Sequence, residues 1–149
     1  MLNALGTYPG DPGPLGNECV GRVAALGEGV RHLTVGQEVM AMGGRTHASF
    51  TTTIADYVVR RPAGLTVEES ATVPVAYLTA DYALNRLGRM KRGDRVLIHA
   101  ASGGVGLAAV QLARRAGAEI FATAGSDEKR AYLASMGIRH VTSLSLIHI

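Results

Sequence analysis

Apolar and polar positions follow two different rhythms along this chain. Up to about residue 73, apolar residues come in short β-branched runs between clusters of glycine and proline, the pattern of strands joined by turns. ECVGRVAAL (18–26), EVMAM (38–42) and SFTTTIADYVV (49–59) read as strands, with GEGV and MGGRTH between them. YPGDPGPLG holds three prolines and three glycines in nine residues, and reads as a loop because proline has no N–H for a helix or ladder interior. From residue 74 the apolar spacing becomes helical. PVAYLTADYALNRLG predicts a helix that opens on a proline and ends at Gly88. There follow a strand (94–100), a glycine turn, a helix (104–116) stopped by Gly117, a strand (119–124), a helix (127–136) stopped by Gly137, and a strand at RHVT.

That alternation predicts an α/β protein with a parallel sheet covered by helices. An irregular β domain over 1–73 precedes the first half of a doubly wound sheet over 74–143, since a whole sheet of this type has about six strands. The terminal LSLIHI (144–149) is what CTG TCT CTT ATA CAC ATC encodes, a string resembling a transposase-end library adapter. We expect it to be non-native, with an apolar strand as the alternative.

Composition narrows the classes without naming one. A chain of 149 residues with 47% apolar content is globular and core-forming. No apolar run approaches the ~20 residues of a membrane span, and MLNALGTYPG has no basic-then-apolar leader. One cysteine, Cys19, cannot form an internal disulfide, in keeping with a reducing, cytoplasmic setting. The net charge of +3 is spread in short basic pairs, and aromatics are 5% with no tryptophan, so nucleic-acid binding is not expected.

The chemistry concentrates at IHAASGGVG (98–106). Ala101-x-Gly103-x-x-Gly106 matches the dinucleotide fingerprint with alanine for its first glycine. Small residues there allow a tight turn, close approach of N–H groups to a pyrophosphate, and close helix–strand packing. Ala101, Ser102, Gly103, Gly104, Val105 and Gly106 are therefore candidate cofactor-binding residues at a helix N-terminus, which adds about half a positive charge. The alternative is a plain βα turn. The second strand ends Ala122-Thr123-Ala124-Gly125-Ser126, without the carboxylate that an NAD site directs at the ribose. Ser126 can cap the next helix, while Lys129 and Arg130 fall in a first turn where cations are disfavoured unless a 2′-phosphate compensates. NADPH is thus favoured, with Gly125, Ser126, Lys129 and Arg130 at its adenosine end. Asp127 and Glu128 offer a rival account in which Lys129 is only a solvated neighbour.

GNECVGRV (16–23), ATVPVAYLTADYAL (71–84) and GDRVLIHAASGGVGLAAVQLARRAGAEIFATAGSDEKR (93–130), in this order, resemble the zinc-independent, quinone-reductase-like branch of the medium-chain dehydrogenase/reductase superfamily. NALGTYPGDPGPLGNECVGRV is particularly similar to the enoyl reductase domains of type I polyketide synthases. The resemblance implies a GroES-like substrate-side domain (here partial), a Rossmann domain for NADPH (also partial), and a chain truncated at both ends; because an incomplete parallel sheet leaves strand edges and helix faces uncovered, the chain alone is expected to be inactive. It implies reduction of an enoyl thioester carried by the phosphopantetheine of an acyl carrier protein, with other synthase domains in the same chain.

Zinc-dependent relatives carry histidine where this chain has Asn17, and His32, His47, His99, His140 and His148 show no metal-ligand spacing with one another or with Cys19. No metal is expected. Tyr8 in GTYPG matches a tyrosine that related reductases place at the substrate, making it the candidate catalytic acid; it could equally be a loop aromatic packed on Pro9. Thr79 resembles a residue lining the nicotinamide side, or is a helix threonine bonded to its own backbone. A free-standing NADPH quinone reductase and a non-catalytic nucleotide-binding domain are the alternatives.

Overall fold

The computed structural model describes residues 5–11 and 13–147; the last two residues of the LSLIHI segment lie outside them. The chain divides into two compact units, Met1–Val75 and Ala76–Ile149.

The first unit is built on an antiparallel sheet of β1 (Glu18–Arg22), β2 (Glu38–Met42) and β3 (Val58–Arg60), in that order. Alternation along β2 buries Val39 and Ala41 with Leu33, leaving the opposite face to a cross-strand ion ladder. Arg22 stands opposite Glu38, and Arg61 reaches the same carboxylate from the end of β3 through an Nε–Oε2 bond of 3.1 Å. A short helix, α1 (Val67–Ala71), closes the unit. It is nucleated by a capping box in which Thr66 and Glu69 satisfy each other's backbone N–H groups.

Two expectations for this half are corrected. The strand expected over 49–59 is confined to its end: Phe50 and Ile54 are exposed and residues 55–57 form a single 3-10 turn. Its threonines tie the loop down by side chain instead, Thr53 donating to the Met42 carbonyl at 2.6 Å and Thr51 to that of Gly44 at 3.2 Å. The first strand also stops at Arg22, well short of residue 26.

Helix α2 (Pro74–Asp81) begins in the last two residues of the first unit, continues into the second and runs into a π-helical segment over Tyr82–Leu87. The change to i→i+5 bonding shows in Gly88 N–H donating to the Ala83 carbonyl at 2.8 Å. Three parallel strands follow, β4 (Arg95–Ile98), β5 (Glu119–Ala124) and β6 (His140–Ser143), connected by α3 (Gly104–Ala116) and α4 (Asp127–Ser135). This is the βαβαβ expected from the sequence, a partial Rossmann fold. Residues on one face of the sheet, Ile98, Ile120, Ala122 and Ala124, pack with Ala108, Val110 and Ala113 of α3 and Leu133 of α4. Many core positions are alanines, so helix and sheet lie close and the strand-to-helix corner is tightly determined. Gly117, at φ +75°, ends α3, and Gly137, at φ +83°, follows α4, in the left-handed conformation that glycine adopts without strain. Residues 144–147 form a 3-10 turn rather than a strand.

Candidate functional site: the β4–α3 corner

The corner is built from the end of β4 outward. Ala100 takes φ +48°, a left-handed conformation costing a non-glycine residue about 1–2 kcal/mol, at the point where the chain leaves β4. Ala101 is fully buried beneath it and donates to the Thr123 carbonyl at 2.9 Å. Gly103 N–H then bonds back to the Ala100 carbonyl at 2.9 Å, and α3 begins.

The glycines have distinct roles. A Cβ on Gly106 would lie 2.6 Å from the Ala100 oxygen and the Ala101 Cα, so only glycine lets α3 pack against the corner. One on Gly103 would stand 3.3 Å from the Ala100 oxygen. Gly104 faces open space, which leaves its backbone approachable from outside.

Two helices in this unit start just after a strand, and their N-termini are finished differently. At α4, the Ser126 hydroxyl accepts from Lys129 N–H at 3.3 Å, and Asp127 and Glu128 complement the dipole. At α3 the N-cap is Gly103, with no side-chain cap and no acidic residue in the first turn. The N–H groups of Gly104, Val105 and Gly106 have no backbone acceptor, and Gly104 and Val105 are exposed. An uncapped first turn of a 13-residue helix is an anion-binding arrangement, and the cradle fits a nucleotide pyrophosphate.

The end of β5 supplies the adjoining segment. Gly125 is exposed with open space at its Cα, and Ser126 caps α4 as anticipated. The two cations differ. Arg130 is engaged, donating to the Ala124 carbonyl at 3.1 Å and pairing with Asp127. Lys129 is exposed and its ammonium makes no hydrogen bond or ion pair among the described residues. Ser102 is half-buried at the turn. Thr79 is exposed on α2 and its hydroxyl makes no bond to its own helix. Tyr8 lies in the first unit, half-exposed in its loop.

Sequence reasoning missed the residue beneath the corner. Thr123, 1% exposed, places its hydroxyl 3.2 Å from the Ala100 N–H and 3.3 Å from His99 Nδ1. The available signal was a single hydroxyl in the otherwise apolar IFATA. Elsewhere, burial pushes the Cys19 thiol above its ordinary range, the opposite of what a nucleophile needs.

The chain belongs to the alcohol dehydrogenase GroES-like domain family, which matches residues 3–82; a second family, described as zinc-binding dehydrogenase, matches 104–146. Zinc does not fit this chain's described residues, among which no three His, Cys, Asp or Glu side chains come together. Within that class the similarity is to polyketide synthase proteins. The chain is 49% identical, over 95% of its length, to a component of the phenolphthiocerol/phthiocerol polyketide synthase of Mycobacterium tuberculosis, and spans 7% of that protein. The CurK enoyl reductase crystal structure superposes with a TM-score of 0.84 at 47% identity, covering 89% of this chain and 40% of that one. Mycobacterial Rv1454c, solved in complex with NADPH, gives a TM-score of 0.82 at 33% identity over 93% of this chain and 44% of its own. Among the described residues no helix is long and apolar enough to cross a membrane.

Proposed function

We propose that this chain is part of an NADPH-dependent enoyl reductase domain of a type I polyketide synthase, with residues 1–73 on the substrate side, 74–143 on the nucleotide side and 144–149 foreign to the gene. The observation that carries the reading is the uncapped N-terminus of α3, where Gly104, Val105 and Gly106 offer N–H groups beside a corner that only glycine at 106 permits. Similarity to polyketide enoyl reductases and to a protein solved with NADPH supports it.

In this reading the amides of Gly104, Val105 and Gly106 bind the pyrophosphate, with Ala101, Ser102 and Gly103 shaping the turn. Gly125 lets the adenosine ribose approach, Ser126 sits beside it, and Lys129 reaches the 2′-phosphate, with Arg130 as its neighbour. Thr79 lines the nicotinamide side. When bound, NADPH supplies a hydride to the β-carbon of the enoyl thioester. Tyr8 holds the proton that the α-carbon takes up, so substrate plus one hydride and one proton gives the saturated thioester. The substrate arrives on the phosphopantetheine arm of an acyl carrier protein, and other synthase domains share the chain.

The test uses the full-length reductase domain, assayed with a phosphopantetheine-linked enoyl thioester and with a quinone. The reading expects NADPH oxidation with the thioester, and a changed rate or α-carbon stereochemistry in Tyr8→Phe. Turnover of the quinone alone would assign the chain to the free-standing quinone reductases. An unaltered rate and stereochemistry in Tyr8→Phe would remove that residue from the mechanism.

A further inference from the structure

We infer that Thr123 is a positioning residue for the nucleotide phosphates, acting through the strained Ala100 corner; the inference rests on the nucleotide reading above. Thr123 accepts from two consecutive N–H groups of the chain leaving β4. Its carbonyl takes Ala101 at 2.9 Å and its hydroxyl takes Ala100 at 3.2 Å. The hydroxyl hydrogen remains free to point at His99 Nδ1, 3.3 Å away. Residues 99, 100 and 101 are thus all fixed by one side chain and one carbonyl of the neighbouring strand.

A hydroxyl at 1% exposure is costly unless it is bonded, and packing alone would be served by valine. The bonding goes where the backbone has least freedom. Ala100, at φ +48°, is the residue whose carbonyl receives Gly103 N–H at 2.9 Å and against which Gly106 packs. Any rotation about the Ala100 Cα therefore moves both the N-cap of α3 and the seat of its third residue. The hydroxyl of Thr123 holds the His99–Ala100 peptide on one side of that Cα and the Thr123 carbonyl holds the Ala100–Ala101 peptide on the other, so the two together fix the strained Ala100 torsions and with them the direction of the amides at Gly104 and Val105. The same strand continues two residues later into Gly125 and Ser126, so β5 aligns the phosphate cradle with the adenosine end.

The experiment compares the full-length reductase domain with Thr123→Val, which keeps the branch and removes the hydroxyl, and Thr123→Ser, which keeps the hydroxyl and removes the methyl. Titration with NADPH is expected to give a Kd roughly tenfold weaker for the valine variant and within about twofold of the parent for serine. At saturating NADPH, kcat should stay within about twofold in both, so that the loss appears in KM, whereas general loosening of the fold would lower kcat too. An unchanged Kd in a folded valine variant overturns the inference. So does a serine variant as weak as valine, which would assign the role to the methyl group; that serine result stands as the deciding one should the valine protein not fold. If the unaltered domain binds no NADPH, the nucleotide reading fails first and this inference falls with it.

Discussion

Replacing Gly106 by alanine adds one methyl group at the most crowded point of the β4–α3 corner. The new carbon would lie 2.6 Å from the Ala100 oxygen and the Ala101 Cα and 2.8 Å from the Ala101 carbonyl carbon. All three are backbone atoms, so no side chain can swing aside. Restoring an ordinary contact near 3.4 Å requires a relative movement of about 0.8 Å (3.4 less 2.6) between α3 and the turn. Overpacking of this kind costs about 1–3 kcal/mol, which lowers Tm by about 2–4 °C per kcal/mol in a domain of 150–250 residues. The same displacement carries the amides of Gly104 and Val105 off the position of a bound anion, so the NADPH Kd should rise at least about tenfold. Gly104→Ala is the control for space. Its Cβ meets nothing within 4 Å, so Tm should be unchanged or slightly raised, while the methyl obstructs the approach of a phosphate and weakens NADPH. Thermal melting and isothermal titration on the full-length reductase domain check both. A Gly106→Ala protein with parental Tm and Kd refutes the packing argument, and a Gly104→Ala protein with parental affinity refutes the claim that phosphate lies over that residue.

Two further outcomes are expected. Lys129→Ala should reduce the preference for NADPH over NADH by about tenfold, worth about 1.4 kcal/mol, without lowering Tm, because the ammonium makes no hydrogen bond or ion pair among the described residues; parallel titrations with the two nucleotides decide it. In the first unit, the bond from Arg61 and the charges of Arg22 and Arg61 hold the Glu38 carboxyl below its ordinary value of 4.5. A depressed carboxylate contributes stability that is present above that value and lost as pH falls through the folded value. The difference in Tm between the parent and Glu38→Gln should therefore be largest near neutrality and shrink on acidification below about pH 4.5; because the Glu38 side chain is partly open to solvent, the difference is small throughout.

The second unit was more legible in the sequence than the first. EIFATA and the helix over 104–116 run between the limits their periodicity implied, as EVMAM does in the first unit, because buried alternation and glycine stops act locally. SFTTTIADYVV misled because β-branched residues favour strands only where a partner and a buried face await them. Here Thr51 and Thr53 bond to carbonyls of the 42–44 segment, and the apolar Phe50 and Ile54 point to solvent. The π-helical segment after Asp81 leaves no periodic trace in YALNRL. In the site, the glycines announced the corner, and Ser126 announced its cap. The division of labour between Lys129 and Arg130 could not be read, since it depends on Arg130 finding the Ala124 carbonyl six residues back. Nor could the Thr123 clamp, which joins residues more than twenty positions apart through a parallel ladder.

Nucleotide binding by this chain depends on whether the open end of α3 grips the phosphates. Backbone amide resonances of the full-length reductase domain, followed during titration with NADPH, test this most directly. Gly104, Val105 and Gly106 should shift strongly and saturate together with binding, while the Lys129 amide, already bonded to Ser126 within the α4 cap, shifts less. Saturable binding that leaves the three amides at the start of α3 unmoved would contradict it.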